Sequence, residues 1–207
     1  MRSKTALKPR KAPKQGRSRQ MQEDILAASI RVLRREGALK FTTPRVAEAA
    51  GISVGSLYQY FPNKQALLFA LHSRAVAAAW IEVQRILDDE RRSARRKIRR
   101  IAALFFCAES EEVAEMGSAL QDVEIYFADE PEHHAMNERV LARFTRFLRE
   151  ALPAGAPRSR VAFGAKLLVT VLESVGRSVA AQRLPRRSIH RWATACADMV
   201  ADFLGLD

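Results

Sequence analysis

The chain has 207 residues, 48% of them hydrophobic and 28% charged, a balance that excludes a disordered protein. Two cysteines, Cys107 and Cys196, without a CxxC spacing exclude a disulfide scaffold and a cysteine-based zinc site. The longest apolar run, 101–108, is too short to cross a bilayer, and the basic N-terminus lacks the apolar stretch of a secretory signal. We therefore expect a protein of the reducing cytoplasm.

The net charge of +12 is concentrated at the N-terminus. Residues 1–19 contain eight of the 35 Lys and Arg residues and no acid. A segment of this composition cannot bury enough apolar surface to fold, and it is attracted to polyanions. We interpret 1–19 as a disordered basic arm, with a merely solubilising leader as the alternative.

Beyond the arm, the apolar residues recur at helical spacing, and alternating runs of strand length are absent from the sequence. The fold class is therefore all-α. We expect a small three-helix unit over 20–65 and a larger helical bundle over 66–207. The predicted helices are approximately 20–35, 44–50, 53–60, 64–88, 92–109, 111–128, 131–152, 158–182 and 187–204.

Residues 42–64, TTPRVAEAAGISVGSLYQYFPNK, have the layout of a helix-turn-helix. Two short helices, the second capped by Ser53, flank a tight turn at Gly51. Leu57 and Phe61 are predicted to lie in the core, which leaves the start and outer side of the second helix exposed. A recognition helix needs this placement, because base edges are contacted mainly from its first turns. The predicted exposed residues are Ser53, Gly55, Ser56, Tyr58, Gln59 and Tyr60.

The run VAxxAGISxGxLYxYFxxKxxL, from Val46 to Leu67, resembles the DNA-binding motif of the TetR family of bacterial transcriptional regulators. The resemblance implies DNA-backbone contacts for Thr43, Tyr58 and Lys64. It implies base contacts for Gly55, Ser56, Gln59 and Tyr60. The full predicted DNA-binding set is Thr42, Thr43, Arg45, Ser53, Gly55, Ser56, Tyr58, Gln59, Tyr60 and Lys64.

For the C-terminal bundle the resemblance implies a pocket for a small-molecule effector, which we expect to be partly lipophilic. Candidate pocket residues combine aromatic bulk with an occasional polar group inside an apolar stripe. They are Trp80, Phe105, Phe106, Met116, Gln121, Glu124, Tyr126 and Phe127. Ordinary core or surface positions are the alternative for each of them.

The last two predicted helices are apolar on a broad face, which favours a four-helix interface between two copies of the chain. The resemblance implies the same homodimer. The predicted interface residues are Leu168, Leu172, Val175, Trp192, Cys196, Met199 and Phe203.

Two further polar features have ordinary interpretations. The basic cluster over 91–100 is predicted to be a solvated helical face beside the acids at 88–90. In the polar stripe of the 158–182 helix, Glu173 and Arg177 are spaced for an ion pair.

No catalytic motif, metal-ligand set or cofactor loop is recognisable, and the four histidines at 72, 133, 134 and 190 are scattered. We therefore expect no enzyme activity, no cofactor and no metal. The favoured function is a homodimeric repressor that binds a palindromic DNA operator and is released by a small molecule. The alternative is a basic membrane-surface or nucleoid-associated protein without ligand control.

Overall fold

The computed structural model describes residues 16–116 and 131–207. Helices make up nearly all of these two ranges, and neither range contains a strand, so the all-α prediction is confirmed. A short 3-10 turn, Ala38–Lys40, follows the first helix. The helices are α1 (Gly16–Glu36), α2 (Thr43–Ala50), α3 (Val54–Tyr60), α4 (Lys64–Leu87), α5 (Ala94–Met116), α6 (Pro131–Ala151), α7 (Arg158–Ala181) and α8 (Arg186–Leu204).

Two predicted boundaries were wrong. Helix α1 begins at Gly16, so residues 16–19 of the predicted arm are helical. Helix α5 continues to Met116 without the expected break near residue 110. The polar stretch around Ser110 contains no Gly or Pro that would end the helix, and the Ser110 hydroxyl donates to the Phe106 carbonyl oxygen at 2.8 Å. The rest of the predicted 111–128 helix lies outside the described residues.

The described chain divides into two compact units, with the division falling within α4 after Ala77. In the first unit, α1 packs against α2 and α2 against α3. Its core is formed by fully buried apolar side chains, each placed on the inner face of its helix by the 3.6-residue period. These side chains include Ile25, Ala28, Val32, Val46, Leu57, Phe61 and Leu67.

The second unit contains the end of α4, α5 as far as Ala114, and α6 to α8. Two glycines let α7 approach its neighbours closely. A Cβ atom at Gly176 would lie 2.9 Å from a ring carbon of Phe105, and one at Gly164 would lie 2.8 Å from a methyl carbon of Leu204. Any larger residue at either position would force these side chains aside.

Helix α4 is long and apolar enough, by length and composition alone, to cross a membrane. Its apolar residues are instead used within the protein. Leu67, Leu68 and Phe69 are buried in the first unit, and Ile86 and Leu87 belong to the core of the second. The two ends of α4 thus contribute to two cores, while apolar residues of its middle, such as Ile81, are exposed.

Candidate DNA-binding interface

A tight turn sets the angle between α2 and α3. Gly51 ends α2 in the left-handed conformation, with φ of 69°, which glycine adopts without a steric penalty. The amide of Ile52 then donates to the Ala47 carbonyl oxygen at 3.0 Å. This closes α2 and leaves only Ile52 and Ser53 before α3 begins at Val54.

The start of α3 is fixed by its capping serine, as predicted. The Ser53 Oγ accepts a hydrogen bond from the Ser56 amide at 3.0 Å, and the hydroxyl oxygens of Ser53 and Ser56 lie 2.8 Å apart. The cap satisfies one of the free amides at the helix start. Both candidate serines are therefore held in one orientation at the first turn of α3.

The two faces of α3 differ sharply in exposure. Leu57 is fully buried, and Phe61, just past the helix end, is also buried. Opposite them, the predicted contact residues Ser53, Gly55, Tyr58 and Gln59 are exposed, and Ser56 and Tyr60 are half-buried. The structure thus leaves the start and the outer side of α3 open to solvent, as predicted, with Ser56 and Tyr60 at its flanks. Contact of these residues with DNA stays a prediction.

Thr43 and Tyr58 form a bridge between α2 and α3. The Thr43 Oγ1 and the Tyr58 hydroxyl lie 3.0 Å apart, and Thr43 is buried while 40% of Tyr58 is exposed. The bond fixes the phenol at the edge of the exposed face. Thr42 occupies the N-cap position of α2, and its side chain forms no capping hydrogen bond. Helix α2 begins at Thr43, and Pro44 is its second residue.

The two cationic candidates already have partners within the first unit. Arg45 forms an ion pair with Glu36 at the end of α1. The Lys64 Nζ lies 3.5 Å from the Ala38 carbonyl oxygen and 5.8 Å from the centre of the Phe41 ring. Both contacts involve partly solvated groups and are weak, so either cation could turn to a phosphate at small cost.

Two braces in the first unit were missed by the sequence analysis. The Arg31 Nη2 donates to the Ala49 carbonyl oxygen at 3.0 Å, which ties α1 to the last turn of α2. Arg74 on α4 pairs with Glu23 on α1. Positive charge at the C-terminal end of a helix is favourable, but nothing in the sequence indicates which arginine supplies it.

The predicted pocket set is only partly described, since Gln121, Glu124, Tyr126 and Phe127 lie outside the described residues. Phe106 is fully buried in the core of the second unit, and Met116 is nearly fully buried. A pocket role for either residue stays a prediction. Phe105 and Trp80 are half-buried. The Phe105 ring is packed against Gly176, which accounts for its position without a ligand.

The second unit does contain an open groove of about 360 Å³, but none of the described pocket candidates lines it. Its walls come from α5 and from the junction of α7 and α8. The lining residues are Cys107, Ser110, Glu111, Ala114, Arg183, Leu184, Arg186 and Ile189.

The structure separates the predicted dimer residues into two groups. Leu168, Leu172 and Cys196 are buried in the core of their own chain, which leaves them little surface for contact with a second copy. Their role in a dimer stays a prediction. Val175 is half-buried. Trp192, Met199 and Phe203 on α8 are 45%, 57% and 62% exposed, and Phe163 on α7 lies beside Phe203. The remaining apolar face is therefore carried mainly by α8.

The basic cluster over 91–100 includes the exposed residues Arg91, Arg96 and Arg100, as predicted, but two of its arginines bind carboxylates of α8. Arg99 on α5 donates two hydrogen bonds to the Asp198 carboxylate on α8, at 2.6 and 2.9 Å. Arg95 binds Asp198 and Asp202, and it also donates to the Leu206 carbonyl oxygen at 3.0 Å. The Arg99 hydrogen bond is the main reason that the pKa of Asp198 lies below its ordinary value.

Glu173 was predicted to pair with Arg177. Within the described ranges Glu173 forms no hydrogen bond or ion pair, and its carboxyl group is half-buried. Burial raises the pKa of Glu173, and the nearby charge of Arg177 only partly offsets that effect. The predicted ion pair is therefore replaced by a longer-range attraction.

Comparison with known proteins agrees with this geometry. A family model described as bacterial regulatory proteins, tetR family, matches residues 25–71, which span the helix-turn-helix and the helices on either side. The chain is 32% identical over 132 residues to the nucleoid occlusion factor SlmA of Vibrio campbellii, a match that covers 62% of this chain and 66% of that protein. A match to SlmA of Vibrio vulnificus covers 36% of that protein, so the chain spans no more than two thirds of these relatives.

Solved structures share the fold over most of the chain. A TetR transcription regulator from Haloarcula marismortui superposes with a TM-score of 0.65 at 16% identity, covering 91% of this chain and all of that one. SmeT, the repressor of the Stenotrophomonas maltophilia multidrug efflux pump SmeDEF, gives a TM-score of 0.58 at 23% identity, covering 90% of each chain. These likenesses establish the fold.

Proposed function

The chain belongs to the TetR family of bacterial regulatory proteins, and on this premise we propose that it represses transcription as a homodimer on a palindromic operator and is released by a small molecule. DNA binding through α2 and α3 is the basis of the proposal. Repression, the operator and the effector go beyond what the family membership alone establishes. We propose that the protein acts in the cytoplasm, because the operator would lie on chromosomal DNA there.

One observation carries the DNA-binding part of the proposal. The first turns of α3 expose small and hydrogen-bonding groups, while Leu57 on the opposite side is fully buried and anchors the helix. A major groove admits such a helix, and its N-terminal residues then reach the base edges. Gly55, which has no side chain, allows close approach of the backbone to the DNA.

The residues around α3 are suited to binding phosphates. The Tyr58 hydroxyl is held by Thr43 at the rim of the exposed face and can donate to a phosphate oxygen. Lys64 opens α4, where its ammonium group and the positive end of the helix dipole both favour an anion, although Asn63 already accepts a hydrogen bond from the Ala66 amide. Together these groups would position the recognition helix, while Gly55, Ser56, Gln59 and Tyr60 would contact bases.

The basic arm supplies a further, sequence-independent attraction. Arg17 and Arg19 are exposed at the start of α1, and six more Lys or Arg residues precede them in the sequence. Each phosphate that a cation neutralises releases counterions, so the arm would raise affinity for all DNA and steepen its salt dependence.

A homodimer would supply the second recognition helix. Two half-sites one helical turn apart, about 34–36 Å, require two copies of α3 held at that spacing. The exposed aromatic face of α8 supports such an interface, because exposed Trp and Phe side chains of this size are unusual in a monomer. A ligand that favours another spacing would release the operator by shifting the population of dimer conformations.

The SlmA similarity favours a second candidate function, a nucleoid-associated DNA-binding protein without ligand control. That match extends over 132 residues and therefore well beyond the helix-turn-helix. The two functions share the same DNA interface. They differ in the number of binding sites on a chromosome and in the response to small molecules.

Selection of bound sequences from random DNA tests the proposal. We expect a palindrome whose half-sites are spaced by one helical turn. Chromosome-wide mapping then distinguishes the candidates, because a repressor occupies a few promoters whereas a nucleoid-associated protein occupies many dispersed sites. Recovery of no sequence preference at all would contradict both the operator and the base-contact assignments.

Two variants test the assigned roles within this experiment. Lys64→Ala should weaken binding to every DNA and reduce the salt slope by about one unit. Tyr60→Ala should weaken operator binding more than non-specific binding. Lys166→Ala, an exposed lysine on α7, is the matched control and should change neither. A Lys64→Ala slope equal to that of the control would exclude the phosphate contact.

A further inference from the structure

Cys107 and His190 meet on the surface of the second unit, in a place that DNA binding does not use. The Cys107 Sγ on α5 lies 4.0 Å from the His190 Nε2 on α8, within reach of a thiol hydrogen bond. Cys107 is half-exposed and His190 exposed, so small molecules can reach both.

The pair continues the line of contacts that joins α5 to α8, which we call the α5–α8 seam. The seam consists of the Arg95–Asp202, Arg99–Asp198 and Cys107–His190 contacts. Four residues forward on α5 correspond to four residues backward on α8, as expected for antiparallel helices. The ion pairs therefore hold α5 and α8 in register and fix the spacing of the thiol and the imidazole.

Cys107 lines the 360 Å³ groove, and His190 follows the lining residue Ile189 on α8. That volume falls within the range of small-molecule sites, about 300–1,000 Å³. Ala114, Leu184 and Ile189 give the groove apolar walls, while Arg183 and Arg186 add positive charge and Glu111 one negative charge. A compound with a short hydrocarbon part and an electron-rich oxygen matches this lining.

We propose that Cys107 is a covalent modification site for soft electrophiles of the α,β-unsaturated carbonyl class. His190 Nε2 takes the proton from the thiol, and the sulfur lone pair forms a bond to the β-carbon. The electrons of the C=C bond move onto the carbonyl to give an enolate, whose oxygen the groove arginines stabilise. The proton held by His190 then reaches the α-carbon, which leaves a thioether and a neutral imidazole. No oxidant or reductant is needed.

Cys196 provides an internal control. It is buried in the core on α8, and burial raises the pKa of its thiol, so both access and ionisation are unfavourable. Cys107 therefore lies in a groove beside a base, whereas Cys196 lies in the core. The proposal concerns the modification site and stands whether or not the protein binds DNA.

N-ethylmaleimide, an α,β-unsaturated dicarbonyl compound, is the probe. Native protein is labelled at neutral pH with a small excess of probe, quenched at intervals and mapped by peptide mass spectrometry. We expect a single adduct on Cys107 while Cys196 stays unmodified. His190→Gln retains a polar group but cannot hold the proton, and it should slow labelling of Cys107 about tenfold.

Further variants separate chemistry from folding. Arg186→Gln should also slow labelling, whereas Arg187→Gln, an exposed neighbour that does not line the groove, should not. In urea, the two cysteines should react alike and His190→Gln should have no effect. Equal native rates for His190→Gln and wild type, or labelling of Cys196 as fast as Cys107, would overturn the proposal.

Discussion

Helix α3 and the start of α5 use charge in opposite ways. Helix α3 has no charged residue, yet its exposed face is the candidate DNA-reading surface. The start of α5 is densely basic, yet Arg95 and Arg99 form ion pairs with carboxylates of α8. Exposure and partners, rather than charge density along the sequence, therefore indicate which surface is available to a polyanion.

The largest expected effect comes from a substitution on the exposed aromatic face of α8. Phe203→Asp should prevent dimerisation, because a two-fold interface would bury two like charges, at a cost of about 3 kcal/mol or more. Operator affinity should fall with the dimer, by about a hundredfold at that cost. Sedimentation equilibrium and a titration of palindromic DNA on the same samples measure both.

Phe203 is largely exposed in the single chain, so its replacement should leave the fold intact. Arg187→Asp, which adds negative charge at an exposed position in the first turn of α8, is the control and should remain dimeric. A Phe203→Asp protein that stays dimeric at micromolar concentration would place the interface on another surface.

The next effect tests the α5–α8 seam. Asp198→Asn removes the carboxylate that accepts from both Arg95 and Arg99. Because these groups are largely solvated, the variant should lower the unfolding temperature by only about 2–4 °C. The salt slope of DNA binding should not change. Thermal unfolding and a DNA titration distinguish this structural role from a phosphate-binding one.

The pH dependence of the same variant has a definite sign. The folded pKa of Asp198 is lowered, so its contribution is complete above the ordinary aspartate pKa of about 3.8 and is lost as the pH falls through the lower folded value. Wild type and Asp198→Asn should therefore differ in stability at pH 7 and converge in strong acid. A difference that persists at the lowest pH would assign the effect to packing instead.

These two regions also mark how far the sequence alone could be interpreted. The turn at Gly51, the Ser53 cap and the burial of Leu57 involve residues within a few positions of each other, so local rules predicted them. The Arg95–Asp202 pair joins positions more than a hundred residues apart, and no local pattern indicates it. The same reason explains why Leu168 and Cys196 were assigned to a dimer: an apolar stripe does not say which surface covers it.

A smaller effect is expected at the Thr43–Tyr58 bridge. Tyr58→Phe keeps the ring but removes the hydroxyl, and should lower DNA affinity by about 1 kcal/mol through a lost phosphate bond. Thr43→Val keeps the Tyr58 hydroxyl but removes the Thr43 hydroxyl that holds it, and should lower DNA affinity by less than Tyr58→Phe does. If the double variant binds as weakly as Tyr58→Phe alone, Thr43 acts only by positioning Tyr58; strictly additive losses would show that each contacts DNA independently.

The smallest effect concerns Glu173, where charge is half-buried rather than paired. Burial raises the pKa of Glu173, so the ionised form costs stability in the folded state, and this cost grows as the pH rises from the ordinary glutamate value through the raised one. Glu173→Gln removes the charge while keeping the shape, and should raise the unfolding temperature slightly at pH 7 but not at pH 4. The loss of attraction to Arg177 opposes the gain, which limits it to a few tenths of a kcal/mol. Arg177→Gln should shift stability the other way at pH 7, because it leaves the half-buried carboxylate without its nearby cation. If Glu173→Gln instead destabilises the protein at pH 7, the carboxylate has a stabilising partner, and the contrast with the paired Asp198 disappears.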